Sequence, residues 1–198
     1  MEKMLPAYQR QAPTVAEMTQ AALEVLQRKG KPFLLVVEEE GSDNFGNVNN
    51  AAGTLEALRR ADEAIGVARQ FVAANPATLL ITAADSDAGG MKLIGMKTSD
   101  GQLPDKVPPR DVNGAPLDGQ FGTGTTPFIA APDRFGQSLP FAIAWATRHD
   151  CTGGVLVRAE GLNASEVRGS FDNTDIPRLI RQTLFGERHG RSTRRYVD

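Results

Sequence analysis

An apolar run at residues 33–37 leads directly into a cluster of carboxylates, and this junction constrains the fold more than any other feature of the chain. A continuously apolar run of this length is typical of a buried central strand in a parallel sheet. The acidic residues Glu38, Glu39, Glu40 and Asp43 follow where that strand would end. Ligands bind at the carboxyl ends of strands in open α/β sheets, and buried acids require a cation or hydrogen bonds. The junction therefore predicts a metal-assisted site, or what remains of one.

Length and composition indicate a globular protein. A chain of 198 residues can bury a sizeable core, so we expect a single α/β domain or half-domain over residues 1–198. The net charge of −2 gives no reason to expect a nucleic acid partner, and the arginine-rich segment at 188–195 is predicted to be a solvated tail. No apolar stretch is long enough for a membrane span, and no signal sequence is visible near Met1.

Helical periodicity and capping signals predict three helices. Thr14 and Glu17 have the spacing of a capping box, and an apolar helical face follows them. Residues 51–75 repeat apolar side chains at helical spacing, as one helix or as two joined near Gly66. A last helix is expected to begin near Thr174.

Strand-like runs lie between these helices. Residues 78–82 and 154–159 are predicted strands, and residues 141–145 could form a strand or a helical turn. Because helices and strands alternate with short links, we expect a mostly parallel sheet with helices on both faces. Residues 86–140 are rich in Gly and Pro, and we expect a long irregular excursion there, with room for a short hairpin.

A second carboxylate cluster follows the predicted strand at 78–82. It contains Asp85 and Asp87, and parallel neighbouring strands would bring it close to the first cluster. Oxygen-only ligand sets suit Mg²⁺, Ca²⁺ or Mn²⁺, whereas zinc sites usually contain His or Cys. The alternative is that these charges are solvated and that Asp85 caps a turn.

Two further groups of polar residues could take part in catalysis or metal binding. His149 and Cys151 flank Asp150, but sequence neighbours rarely form a catalytic dyad, and no orienting residue is evident. An asparagine-rich run could provide neutral oxygen ligands, although helix capping explains such residues more simply. It comprises Asn44, Asn47, Asn49 and Asn50.

The order of these segments resembles the C-terminal half of the alkaline phosphatases. The resemblance rests on Val37-Glu38 followed by Asp43, a helix and the strand Leu79-Leu-Ile-Thr82-Ala83. The segments at 13–26 and 152–161 and the final helix also match, so that most of the chain outside 86–140 is covered. The resemblance implies an alkaline-phosphatase-like fold and a metal-dependent hydrolase of phosphate monoesters.

The resemblance also implies metal-binding roles for residues near the first strand. Glu38 matches the family's Mg²⁺ ligand, and Asp43 matches an aspartate that binds a catalytic zinc. Asn47 stands where the family has a histidine on the same zinc. We therefore expect Mg²⁺ at Glu38, and zinc or a harder cation such as Ca²⁺ or Mn²⁺ at the other site.

Later segments depart from the family's pattern. The family's strand end Thr-Ala-Asp-His reads here Thr82-Ala83-Ala84-Asp85, so Ala84 replaces an aspartate and Asp85 replaces a histidine. Asp150 is the best match to a late zinc-binding histidine, with His149 or Cys151 as alternatives after a one-residue slip. The complete set of predicted metal ligands is Glu38, Asp43, Asn47, Asp85, Asp87 and Asp150.

Three functional hypotheses follow. In the first, the chain is the C-terminal part of a phosphomonoester hydrolase, inactive alone because the family's nucleophilic serine lies in the N-terminal half. In the second, it is a degenerate, non-catalytic homologue that binds a divalent cation or a partner. In the third, it is an unrelated α/β hydrolase or transferase that uses Mg²⁺ at the acidic clusters, with the Gly-rich segment as a lid.

If the central sheet is divided between this chain and a missing N-terminal half, a strand edge and apolar helix faces of this chain would be exposed. We therefore expect the chain to self-associate or to pair with the missing N-terminal half. The resemblance further implies a periplasmic or extracellular location. The single cysteine, Cys151, cannot form an internal disulfide and gives no information about the compartment.

Overall fold

The computed structural model describes residues 11–96, 104–151 and 153–186. The helices in these ranges are α1 (Val15–Arg28), α2 (Gly41–Asn47), α3 (Ala51–Ala74) and α4 (Asp175–Phe185), with a 3₁₀ turn at Ala164–Glu166. The strands are β1 (Leu79–Thr82), β2 (Asp87–Ala88), β3 (Lys92–Gly95), β4 (Leu117–Gly119), β5 (Gly122–Thr123), β6 (Phe128–Ile129), β7 (Pro140–Ala144), β8 (Asp150–Cys151) and β9 (Arg158–Gly161). Within these ranges, no helix has the length and apolar character needed to cross a membrane. The arginine-rich segment at 188–195 lies outside the described residues.

The described residues fall into two compact units. The first unit contains the described residues within 11–12, 39–60 and 85–155. The second contains those within 13–38, 61–84 and 156–186. Helix α3 is continuous along the chain, with its first ten residues in the first unit and the remainder in the second.

Helix α1 begins at the predicted capping box. The Thr14 hydroxyl accepts a hydrogen bond from the Glu17 backbone N–H at 3.1 Å, and the Glu17 carboxylate accepts one from the Thr14 N–H at 2.7 Å. The helix ends at Arg28 with Lys29 as its C-cap, and Gly30 follows with φ of 61°, a left-handed conformation that favours glycine. The first predicted helix is therefore confirmed. Its buried residues are Val15, Thr19 and Leu23.

Helix α3 is one continuous helix that passes through Gly66 without interruption. At its start, the Asn50 side-chain oxygen accepts a hydrogen bond from the Gly53 N–H at 3.0 Å, which satisfies one of the free N–H groups of the first turn. The helix ends just before Asn75 and Pro76, as predicted. Helix α4 likewise begins after Thr174, as its sequence indicates.

The strands pair differently from the prediction. Every pairing among the described residues is antiparallel, so the expected parallel sheet is not found there. Strand β1 lies where residues 78–82 predict it, but it pairs with β9, with Leu79 opposite Gly161. Strand β7 resolves the ambiguity at 141–145 in favour of a strand.

Residues 33–37 explain why the parallel sheet is absent. This segment has no strand assignment and pairs with none of the described residues. A parallel pair needs two strands of one sheet that are joined by a helix. Here the first of the two predicted segments has no strand partner among the described residues. Strand β9 is also shorter than predicted, because residues 154–157 precede it without pairing.

The segment at 86–140 is more regular than its Gly and Pro content predicts. It contains β2 to β6, and β7 begins at its end. Strands β3, β7, β4 and β5 lie side by side in that order, and β6 also pairs with β7. Strands β4 and β5 form the hairpin for which the sequence left room, with Asp118 opposite Thr123. One buried apolar cluster of this region comprises Val107, Leu117 of β4, and Ala142 and Ala144 of β7.

Helix α2 was not predicted, because its glycine and asparagine residues are typical of a turn. Its Phe45 ring lies directly against Gly53 in the first turns of α3, where any Cβ atom would overlap the ring. At Gly41, a Cβ atom would come within 3.1 Å of the Ala57 methyl group. Contact with α3 therefore stabilises a helix that the sequence disfavours by itself.

A fully buried carboxylate connects three elements of the first unit. Asp118 in β4 has an exposed fraction of 0% and accepts hydrogen bonds from the Trp145 indole at 3.2 Å and the Ala51 N–H at 3.3 Å. The Thr123 hydroxyl donates a further bond at 3.1 Å. The carboxylate thus joins the β4–β5 hairpin, the end of β7 and the N-terminus of α3, where a negative charge is favourable.

We expect Asp118→Ala to destabilise the protein by about 3 kcal/mol or more, because it leaves the indole and Ala51 N–H donors buried without partners. Urea denaturation would measure the change in free energy of unfolding. The matched control is Asp105→Ala at an exposed position, with an expected change within about 0.5 kcal/mol. Equal midpoints for the two variants would contradict the role assigned to Asp118.

Candidate functional site

Helix α2 places two polar side chains of the first unit one turn apart. Asp43 lies in its first turn and Asn47 at its last position, a spacing of four residues that puts both on one face. The Asn47 amide nitrogen lies 3.3 Å from each oxygen of the Asp43 carboxylate. Both residues are partly buried. The helix that the sequence did not predict therefore creates this juxtaposition.

A third side chain reaches the pair from the start of β8. The Asn47 amide donates to Asp150 Oδ1 at 2.8 Å, which joins residues 103 positions apart in the chain. Asp150 is exposed to solvent, so the group is accessible from outside. The structure thus brings Asp150, from a distant segment of the sequence, to Asp43 and Asn47.

Close packing between backbones sets the position of α2. A Cβ atom at Gly46 would come within 2.7 Å of the Ala88 carbonyl oxygen, so only glycine allows this approach. Gly89, which follows Ala88 in the chain, has φ of 69°, and its N–H donates to the His149 carbonyl at 3.2 Å. Gly89 O in turn accepts a bond from the Ala146 N–H at 3.0 Å. These contacts fix the segment that carries Asp150 relative to α2.

The side chain of Asn49 strengthens the same connection. With its amide oriented to donate, the Asn49 nitrogen reaches the Thr147 carbonyl oxygen at 2.7 Å and the Gly46 carbonyl oxygen at 3.3 Å. Asn49 adopts φ of 55°, a left-handed conformation that asparagine tolerates better than most residues. The structure therefore assigns Asn49 a positioning role, which the asparagine-rich run alone could not distinguish from capping.

Electrostatic repulsion is concentrated at Asp43. Burial raises the pKa of this carboxyl above its ordinary value, and Asp150 raises it further by charge repulsion and a hydrogen bond between the two acids. The Asp85 charge also raises the pKa, whereas the bond from Asn47 lowers it. Negative charge is therefore concentrated where Asp43 and Asp150 meet.

The remaining predicted ligands lie in different surroundings. Asp87 forms an ion pair with Lys92 at 3.2 Å on the surface. Glu38 is exposed and belongs to the second unit, whereas Asp43 and Asp150 belong to the first. Asp85 is exposed and influences Asp43 through its charge. Across the described ranges, no group of three or more His, Cys, Asp or Glu side chains is arranged to hold a metal ion.

We expect Asp150→Asn to raise the Tm by a few degrees at about pH 7 in the presence of a chelator, because it removes the repulsion on Asp43. The raised pKa of Asp43 stabilises the fold at acid pH, and this contribution is lost as the pH rises above the ordinary value of 3.8. The gain should therefore shrink towards about pH 4. Calorimetry with Asp87→Asn as the surface control would check this; a gain independent of pH would contradict it.

The sequence of this chain is similar to the sequences of alkaline phosphatases. The sequence profile of the alkaline phosphatase family matches residues 1–112. Alkaline phosphatase H of Pseudomonas aeruginosa (strain UCBPP-PA14) is 29% identical over 172 residues, covering 87% of this chain and 32% of the relative. Alkaline phosphatase of Escherichia fergusonii is 26% identical, covering 86% of this chain and 32% of the relative. The chain therefore spans about a third of the length of these relatives.

Solved structures share the fold. Alkaline phosphatase from the Antarctic bacterium TAB5 aligns with a TM-score of 0.62 at 19% identity, covering 88% of this chain and 42% of that one. A variant of the TAB5 enzyme, solved with Mg bound in its M3 site, aligns with a TM-score of 0.62 at 21% identity, covering 86% of this chain and 41% of that one. With the profile match over more than half of its residues, the chain belongs to the alkaline phosphatase family.

Proposed function

We propose that this chain contributes a cation-binding part of an alkaline-phosphatase-like hydrolase of phosphate monoesters, with oxygen ligands in place of imidazoles. The family relationship supports the reaction class. The observation that carries the proposal is the contact of Asn47 with both Asp43 and Asp150, since these residues match the family's positions for one zinc ion. In this proposal, the site keeps its position in the fold while its donor atoms change.

The chemistry of the donor atoms fits a hard cation and does not fit zinc. Two carboxylates and one amide provide oxygen ligands only, and no imidazole or thiolate accompanies them at the matched positions. Mg²⁺ is commonly bound through one or two carboxylates, with water and phosphate oxygens completing its shell. Asp43, Asp150 and the side-chain oxygen of Asn47 would hold such an ion, with Asp85 contributing charge nearby.

A bound divalent cation supplies charge stabilisation to a phosphoryl group. The contribution of this chain's own residues is electrostatic. Asp43 and Asp150 concentrate negative charge at an accessible position, and the packing of Gly46 against Ala88 holds that charge in place. The resemblance puts the nucleophilic serine in a part of the family outside the matched segments. We therefore expect the 198-residue chain to have no turnover by itself.

The second candidate is a non-catalytic homologue that retains the scaffold and binds a cation or a partner. It is favoured by the loss of imidazoles at the positions of Asn47, Asp85 and Asp150. It is also favoured by the placement of Glu38 and Asp87, of which the first is exposed and the second is paired with Lys92. For either candidate, the family relationship supports a periplasmic or extracellular location.

The cation site can be tested by metal analysis. After dialysis against Mg²⁺, Mn²⁺, Ca²⁺ or Zn²⁺ separately, plasma mass spectrometry should find near-stoichiometric Mg²⁺, Mn²⁺ or Ca²⁺ in the wild type and a loss in Asp43→Ala. Asp87→Ala is the control, because it removes a surface acid of the same unit and should retain the ion. Equal metal content in the two variants, or zinc alone in the wild type, would contradict the proposed site.

Phosphatase activity distinguishes the two candidates. The chain alone should not hydrolyse p-nitrophenyl phosphate above the buffer rate, whereas addition of a family N-terminal half carrying the nucleophile should restore cation-dependent turnover. Asp43→Ala should abolish the restored activity, and Asp87→Ala should leave it intact. A combination that assembles and binds the ion without turnover would favour the non-catalytic homologue. Turnover by the chain alone would overturn the expected dependence on a nucleophile outside it.

Exposed apolar side chains support the proposal that the chain associates with another segment or with itself. Val36 has an exposed fraction of 79% and Leu34 of 57%, and their segment forms no strand pairing with any of the described residues. Unpaired extended backbone with apolar side chains is a site for strand addition.

We expect light scattering at micromolar concentration to detect self-association of the wild type and a reduction in Val36→Glu. Val112→Glu provides a matched control, because Val112 is fully exposed, at 100%, in a loop of the first unit. A monomeric wild type, or equal effects of the two substitutions, would count against association through residues 33–37.

A further inference from the structure

The hairpin loop before β4 contains an asparagine–glycine pair. Asn113 is the only asparagine of the 198 residues that is followed by glycine. The Gly114 N–H donates to the Asp111 carbonyl at 3.1 Å, and the Asp111 N–H donates to the Ala115 carbonyl at 2.9 Å. Gly114 has φ of 88°, a left-handed conformation that closes short hairpin loops. The fold therefore presents this pair at the tip of a tight turn.

Both residues of the pair are open to solvent. Asn113 and Gly114 are exposed, and the neighbouring Val112 has an exposed fraction of 100%. The Asn113 backbone N–H donates to Asp111 Oδ1 at 2.8 Å, but the side-chain amide has no hydrogen-bond partner among the described residues. A Cβ atom added at Gly114 would meet nothing within 4 Å. Neither packing nor a hydrogen bond therefore restrains the side chain of Asn113.

We propose that Asn113 is a site of deamidation through a cyclic imide. The Gly114 nitrogen loses its proton to hydroxide and forms a bond to Asn113 Cγ. The bond between Cγ and Nδ2 breaks, and ammonia leaves with a proton taken from water. Water then opens the ring at either of its two carbonyls, both of which are bonded to the Gly114 nitrogen, and the product is aspartate or isoaspartate. The sum consumes a water molecule and releases ammonia, without oxidation or reduction.

Two features of the turn act on this reaction in opposite directions. The hydrogen bond from the Gly114 N–H to the Asp111 carbonyl opposes loss of the proton. Glycine has no Cβ atom and adopts many conformations, so its nitrogen approaches the preceding side chain at little steric cost. The opposing hydrogen bond lies at an exposed loop tip, where local opening costs little free energy. We therefore expect the reaction in the folded state.

Isoaspartate at this position would weaken the hairpin that leads into β4. It inserts a methylene group into the main chain directly before Gly114. The Gly114 carbonyl accepts a hydrogen bond from Arg110 Nη1 at 2.6 Å, and its N–H donates to Asp111, so both bonds depend on the present length of the turn. The modification also adds a negative charge close to Asp111.

A second loop of the first unit has the same turn without an asparagine. The Asp133 N–H donates to the Gln137 carbonyl at 2.9 Å, and the Gly136 N–H donates to the Asp133 carbonyl at 2.9 Å. Gly136 has φ of 78°, and the exposed Phe135 occupies the place that Asn113 has in the first loop. Phe135→Asn therefore puts an asparagine–glycine pair into an equivalent turn, whereas Asn113→Gln removes the original pair.

Peptide mapping by mass spectrometry tests the proposal on the full chain, incubated folded at mildly alkaline pH. The peptide with Asn113 should gain the mass of an NH₂-to-OH exchange about tenfold or more faster than the peptide with the exposed Asn173, which precedes the β-branched Thr174. Chromatography should resolve an aspartate and an isoaspartate product. Phe135→Asn should gain the reaction at its new site, and Asn113→Gln should lose it. The deamidated wild type, isolated by anion exchange, should have a lower Tm than Asn113→Asp, which has the same charge without the added methylene.

Faster reaction at Asn113 than at Asn173 in the folded chain, together with reaction in Phe135→Asn, would support the proposal. Equal rates at the two asparagines would overturn it, as would reaction at Asn113 only in urea, because the folded turn would then protect the pair. A folded Phe135→Asn variant that does not react at its new site would overturn the role of the turn. Equal Tm values for the deamidated protein and Asn113→Asp would overturn the effect assigned to isoaspartate.

Discussion

The site depends on the approach of two backbones that have no side chain between them. At Gly46, helix α2 lies against Ala88, and a Cβ atom there would come within 2.7 Å of the Ala88 carbonyl oxygen. This approach, together with the Gly89 N–H bond to His149 O, fixes Asp150 beside the face of α2 that carries Asp43 and Asn47. The energy that holds two acids together therefore comes from packing and backbone hydrogen bonds.

The same arrangement bears on the proposed change from imidazole to oxygen ligands. Asp43 remains where a zinc ligand is expected by resemblance, while amide and carboxylate groups stand at the imidazole positions. Burial raises the pKa of Asp43, the charge of Asp150 raises it further, and the hydrogen bond from the Asn47 NH₂ group partly offsets this rise. A hard divalent cation would neutralise the same charge more completely, and it would suit the oxygen donors.

Local signals in the sequence predicted those parts of the fold that depend on neighbouring residues. The Thr14–Glu17 capping box, the Asn50 cap and the stop before Pro76 act over a few residues, so helices α1 and α3 could be predicted. Strand partners and helix α2 depend on distant contacts, such as Phe45 against Gly53, and were missed or misassigned. Resemblance found Asp43, Asn47 and Asp150 as candidates, but the bridging role of the amide and the buried Asp118 required the structure.

We propose above that Asp43, Asn47 and Asp150 form one cation site with oxygen ligands. Anomalous X-ray diffraction from crystals grown with Mn²⁺ would test it most directly, because it locates the ion without assuming its ligands. We expect a single strong peak within coordination distance of the Asp43 and Asp150 carboxylates and the Asn47 side-chain oxygen. A peak only elsewhere, for example at Glu38 or Asp87, or no peak in well-ordered crystals, would contradict it.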